Sequence, residues 1–182
     1  MTRAPQIETE RLVLRRWRED DAEPYVAMML DTDVSRWLGG PFDEAEALAR
    51  IARNEAALEA HGFGRMAMER RSDGAFLGYC GLMPIAETLP FDGGFEVGWS
   101  LAQGGWGQGY ASEAARAVFA DGFSRLGLPQ ILAFTGVLNH RSQAVARRLG
   151  MSRDPDQDFD HPGLADDHPL KRHIVFVARS PQ

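Results

Sequence analysis

The chain is short of cysteine, of lysine and of long apolar runs, and each shortage excludes a class of protein. Its single cysteine, Cys80, cannot close an internal disulfide, so no covalent framework holds the fold. No stretch approaches the roughly 18 consecutive apolar residues that suggest a bilayer span. The opening residues, Met1 to Gln6, lack the apolar core of a leader peptide. A reducing cytoplasm is the expected location. Lys171 is the one lysine among 20 basic residues. Without a Gly-Lys-Ser/Thr run there is no P-loop, which makes ATP and GTP poor candidates. Basic charge is in deficit overall: the net charge of −6 argues against a general nucleic-acid binder, which needs a cationic footprint to displace counterions. Repeats and low-complexity tracts are also missing. The 182 residues suit one domain, burying roughly 70% of the surface of the unfolded chain.

Glycine, by contrast, is concentrated. Between Trp99 and Arg116 a short strand runs into Gly104, Gly105, Gly107 and Gly109, and the turn runs into a helix. Backbone free of Cβ there can take positive φ and approach a ligand closely. Ala111, Ala114, Ala115, Val118, Gly122 and Leu126 recur at helical spacing, so the unpaired N–H groups and positive dipole end of that helix face the same point. The pattern describes an anion site that suits a pyrophosphate. A dinucleotide fold would place an acidic residue about 20 positions after the glycines, where this chain has Pro129. A tight strand-to-helix connection without a ligand is the other reading.

The run Trp-Gly-Gln-Gly-Tyr-Ala-Ser-Glu-Ala from Trp106 to Ala114 resembles the pyrophosphate loop of the GNAT acetyltransferases, in the branch that includes the ribosomal-protein N-terminal acetyltransferases. Two further blocks carry the resemblance: Asn139-His-Arg-Ser142 followed by Arg148-Leu-Gly-Met151, with methionine where phenylalanine is usual, and the opening Glu8 to Arg15. Trp106 stands where the wider family prefers Gln or Arg. The resemblance implies an N-acetyltransferase domain over residues 7–178. It implies a single α/β (α+β) domain, with a mixed, mostly antiparallel sheet of six to seven strands and helices on both faces. It also implies acetyl-coenzyme A as acyl donor, and a primary amine, on a peptide or a small molecule, as acceptor. The chain is expected as a monomer or homodimer with no nucleic-acid or membrane partner. A non-catalytic acyl-coenzyme A sensor is the alternative.

The rest of the chain fits that architecture. Ile7, Leu12 and Leu14 read as a first strand, and Asp20 and Asp21 offer a cap for a helix through Met29. Asp43 and Glu46 have capping-box spacing ahead of a helix to about His61. Strands follow over Phe63 to Arg70, Ala75 to Met83 and Phe95 to Leu101, with Ser72-Asp73-Gly74 as a hairpin turn. Alternation puts Glu96, Gly98 and Ser100 on one face of the third strand, with open space expected beside Glu96. Beyond Pro129, a strand through Ile131 to Thr135, a helix from about Arg141 to Leu149 and a last strand, His173 to Val177, complete the order.

Acetyl transfer to an amine needs a neutral nucleophile, a polarised thioester carbonyl and a proton for the departing thiolate. An α-amine has a pKa of about 7.7 to 8.0 and a lysine amine about 10.4, so a carboxylate base helps at neutral pH. Glu96 is the candidate, on the resemblance; a solvated strand glutamate is the other reading. Backbone N–H groups from Trp99 to Leu101 can donate to the oxyanion while the same edge pairs with a pantetheine arm. Many GNAT enzymes carry a tyrosine where this chain has Ala146, which leaves Ser142 as the candidate proton donor. Asn139 and Ser142 are equally read as a helix cap and a first-turn hydroxyl. By resemblance the cofactor contacts are Trp99, Ser100, Leu101, Gly105, Trp106, Gly107, Gln108, Gly109, Tyr110, Ala111, Asn139 and Ser142. No metal is expected, because His161, His168 and His173 match no compact ligand motif among the neighbouring aspartates. By resemblance the segment that holds six aspartates from Asp154 to Asp167 can border the acceptor cleft, where it would draw in a cationic amine; a solvated acidic loop is the other reading.

Overall fold

The computed structural model describes residues 6–181, so residues 1–5 of the stretch read above for a leader lie outside the described residues. Strands β1 (Ile7–Glu8) and β2 (Leu12–Arg15) form a hairpin that leads into helices α1 (Ala22–Leu30), α2 (Thr32–Ser35) and α3 (Glu44–His61). A meander of β3 (Arg65–Arg70), β4 (Phe76–Pro84) and β5 (Phe95–Leu101) follows. The chain continues through α4 (Tyr110–Ser124), β6 (Gln130–Gly136), α5 (His140–Arg148), β7 (Ser152–Arg153), β8 (Phe159–Asp160) and β9 (Arg172–Arg179).

The strands join in one sheet of order β1-β2-β3-β4-β5-β6-β9-β7, with β8 also on β9. Among the described residues the sheet has nine strands, three of them two residues long, so six carry it. Every pairing is antiparallel except β5 with β6. Tyr79 and Leu82 have opposite parity on β4 and so point to opposite faces. Tyr25 of α1 lies 6.2 Å from the Tyr79 ring, while Gly122 of α4 abuts Leu82, which puts helices on both faces. Leu12, Leu14 and Tyr25 are all but fully buried, each contributing roughly 1.5 to 3 kcal/mol for an aliphatic side chain and more area for the tyrosine.

Local signals explain most boundaries. Asp43 accepts from the Glu46 amide at 2.8 Å and starts α3, and Gly62 ends it at φ 69°. Asp21 differs from the expectation of a cap. Its carboxylate turns back to accept Arg15 Nη1 at 2.7 Å, Arg15 Nη2 at 2.9 Å and the Arg18 amide at 2.7 Å, and its side chain makes no capping bond to α1. A buried guanidinium on β2 needs a carboxylate more than the helix needs a cap. The first strand is also broken in two, at the turn where the Thr9 amide donates to the Leu12 carbonyl.

Candidate active site

β5 and β6 are in register at Glu96 and Leu132, after which the two parallel strands diverge. Divergence leaves one row of β5 main-chain groups outside a ladder, and two cavities open beside it. One, of about 960 Å³, lies over the start of α4; the other, of about 530 Å³, lies on the Glu96 side. Trp37, Leu38, Trp99, Asn139 and Ser142 line both, so the cavities meet at the notch between the strands.

The larger cavity is built for an anion. Gly107 and Gly109 take φ of 74° and 82°, a left-handed conformation that aims the turn's amides outward. From Gly107 to Ser112 no main-chain amide has a hydrogen-bond acceptor among the described residues, and Ser112 Oγ is buried without a partner. These are the orphan donors of a helix start. The loop is held from behind by Glu113, which accepts Thr9 Oγ1 at 2.6 Å, the Arg11 amide at 2.8 Å and Arg11 Nε at 2.7 Å. Arg11 in turn donates through Nη1 to the Gln108 carbonyl at 3.0 Å. Trp106 donates its indole N–H to the Leu101 carbonyl at 2.8 Å, and Arg141 lies 4.2 Å over its ring. Arg11, Arg116, Arg141 and Arg148 all line the cavity.

Of the residues expected around a cofactor, Gln108 is the one that does not line this cavity, because its side chain turns back to the Gly104 carbonyl at 2.7 Å. Asn139 caps α5, its Oδ1 accepting the Ser142 amide at 3.2 Å. Ser142 Oγ has no hydrogen bond among the described residues and faces the junction of the cavities.

Glu96 lines the smaller cavity, but the open space expected beside it is filled. Arg65 reaches from β3 across Gly81, its partner in register, to lie on Gly98, and donates through Nη2 to Glu96 Oε1 at 2.8 Å. A Cβ on Gly98 would stand 2.8 Å from Arg65 Nε, which is buried and unpartnered. Burial raises the Glu96 carboxyl above its ordinary range, and the Arg65 charge opposes part of that rise. The arrangement is a carboxylate whose affinity for a proton is increased, next to a fixed cation. Arg65 was absent from the candidate residues, and the paired glycines Gly81 and Gly98 were the signal for it, since glycine inside a strand marks the close approach of another group.

Other expectations resolve by placement. Cys80 is fully buried on β4, where burial pushes its thiol up to about 12, so it offers no thiolate. Ala146 lines the smaller cavity where a tyrosine was noted as missing. The acidic segment reaches that cavity through His161 and Leu164, and none of its aspartates lines it. Asp158 pairs with Arg153, Asp160 with Arg172 and Asp166 with Lys171, so three of the six aspartates face a cation outside the cleft. Among the described residues no group of three metal-ligating side chains comes together, and no helix is long and apolar enough to cross a membrane.

A mixed sheet that splits beside a helix start places an amide cradle next to an open strand edge. The family model for the acetyltransferase (GNAT) domain matches residues 11–152, and the chain belongs to that family. It is 30% identical over 152 residues to the uncharacterized N-acetyltransferase YoaA of Bacillus subtilis, covering 82% of this chain and 84% of that one. An acetyltransferase from Agrobacterium tumefaciens superposes with a TM-score of 0.79 at 28% identity, over 97% of this chain and 95% of that chain. RimL, a ribosomal L7/L12 alpha-N-protein acetyltransferase solved with coenzyme A, shares the fold at a TM-score of 0.76 and 15% identity, over 97% of this chain and 98% of that one.

Proposed function

We propose that the chain transfers the acetyl group of acetyl-coenzyme A to a primary amine by direct attack in a ternary complex. The observation that carries this reading is the meeting of the two cavities at Trp99, Asn139 and Ser142, with Glu96 on one side and the amide cradle on the other. Amides from Gly107 to Ser112 suit the pyrophosphate, with Ser112 Oγ as a further donor. The divergent edge from Trp99 to Leu101 suits a pantetheine arm, and its free N–H groups suit a developing oxyanion.

Glu96 takes the proton of the attacking amine, a role its raised proton affinity favours near neutral pH. Ser142 donates a hydrogen bond to the departing thiolate and relays to it a proton taken up from water, a modest task because a thiolate of pKa about 8.5 leaves readily. Cys80, buried on β4 with its thiol pushed up to about 12, is not available as an acyl-enzyme nucleophile.

Calorimetry with acetyl-coenzyme A on the native chain and on the double variant Gly107→Asp, Gly109→Asp tests the cradle: binding is expected in the first and lost in the second. Equal affinity would sink it. Thiol release with a panel of amines tests the chemistry. A protein that binds acetyl-coenzyme A but turns over no amine is a sensor.

A further inference from the structure

The charge on the walls of the smaller cavity narrows the acceptor. Two guanidinium groups, Arg50 and Arg65, line it against a single carboxylate, Glu96. Arg65 uses Nη2 on Glu96 and seals Nε against Gly98, while Nη1 has no acceptor among the described residues and is not sealed from solvent. Arg50, on α3, donates through Nε to Glu46 Oε1 at 3.1 Å, and its guanidinium carbon lies 4.2 Å over the Phe42 ring, two contacts that restrain the side chain. Its two terminal nitrogens have no acceptor among the described residues. Both side chains are three-quarters buried, at 25% exposure, so each cation is held in a site where water screens it weakly.

A fixed, half-desolvated guanidinium with free N–H groups is matched by an oxyanion, and a carboxylate, like a phosphate, has the geometry that fits the fork. Resting on the reading of the site as an amine acetyltransferase, we propose that the acceptor carries a carboxylate close to its primary amine, held by Arg50 and Arg65 so that the amine is presented to Glu96. The chemical class is a zwitterion, either a free amino acid or the acidic N-terminal residue of a peptide. Polyamines and simple alkylamines lack the anion and would leave the free N–H groups of both arginines unpaired.

The test compares free amino acids with their carboxamides and with the corresponding decarboxylated amines, by thiol release and by calorimetry in the presence of coenzyme A. Peptides starting with Asp or Glu, beside their Asn and Gln counterparts, form a second arm that separates the two sources. A charge-assisted pair predicts a preference in kcat/KM of about tenfold to a hundredfold for the acid. Arg50→Gln raises KM for the acid more than for the amide and brings the ratio towards one, and Arg65→Lys, which keeps the charge beside Glu96, reduces it in part. An amide that reacts as well as its acid overturns the inference while amine acetylation stands. If no amine releases thiol, the acetyltransferase reading fails, and calorimetry still decides: equal affinity for acid and amide overturns the carboxylate site, and tighter binding of the acid, lost in Arg50→Gln, supports it.

Discussion

Arg65 and Glu96, 31 residues apart, are joined at 2.8 Å across Gly98, where a Cβ would collide with the Arg65 guanidinium. Arg65, Gly81 and Gly98 sit side by side on adjacent strands, so the guanidinium passes over backbone that carries no side chains. Gly98→Ala should therefore act on the pair. Its Cβ would meet Arg65 Nε at 2.8 Å and Nη2 at 3.1 Å, and the arginine, a long side chain, moves more easily than the strand. The expected result is a melting temperature within a few degrees of the native chain and a fall in kcat/KM of about tenfold or more. Full activity in a folded Gly98→Ala variant would show that the fixed pair is dispensable.

Glu96→Gln tests the base. Burial raises the Glu96 carboxyl, so its deprotonated, base-competent form is lost as pH falls through a value above the usual carboxylate range. In the native enzyme the rate should fall on that acidic limb; in Glu96→Gln the limb should vanish and kcat should drop by about a hundredfold at neutral pH. Profiles of kcat against pH for both proteins check it, and an unchanged limb assigns the base to another group.

Glu113→Gln tests the brace behind the amide cradle. The carboxylate opposes a burial cost with bonds from Thr9 and from Arg11, and the net effect lowers its pKa from 4.5. A depressed folded pKa means stability that is present above pH 4.5 and lost as pH falls through the folded value. The variant should accordingly melt earlier than the native chain at pH 7, by about 1 to 2 kcal/mol of lost hydrogen bonding, with the gap closing below pH 4.5. Affinity for acetyl-coenzyme A should weaken by about tenfold at neutral pH, since Arg11 would no longer hold the Gln108 carbonyl. Thermal melts across pH and calorimetry at pH 7 measure the two effects.

The elements that were legible in the sequence are those whose cause is local. The Asp43 cap, the glycine turn into α4 and the alternation that bounds β5 at Phe95 and Leu101 each depend on neighbours a few residues away. Arg65 was not legible, because its place beside Glu96 is set by the register of two strand pairings and by what the intervening glycines omit. Asp21 was misread for the same reason: its partner, Arg15, lies on β2 and outbids the helix start. Three of the aspartates from Asp154 to Asp167 close ion pairs with Arg153, Arg172 and Lys171, which flank the segment, and which aspartate meets which cation follows from the pairing of β7 and β8 with β9.

Ser142 bears on how the reaction ends. It sits at the junction of the two cavities, and its hydroxyl has no protein partner among the described residues. Its amide, not its side chain, answers the Asn139 cap, so removing the hydroxyl leaves α5 capped. Ser142→Ala should then melt within about 0.5 kcal/mol of the native chain. With Ala146 in place of a phenol, the serine is the nearest hydroxyl on that helix that the cavity offers a thiolate. Because a thiolate of pKa about 8.5 leaves readily, the loss in kcat should be close to tenfold and well short of the 10⁴ that general acids can reach. The loss should also depend on the leaving group. An acetyl thioester of a more acidic thiol needs less help, so the native-to-variant ratio should shrink towards one with such a donor, while KM for the amine stays constant. Steady-state rates with acetyl-coenzyme A and with an aryl thioester measure this. A ratio that is the same for both donors would return the proton transfer to solvent and leave Ser142 as part of the cavity wall.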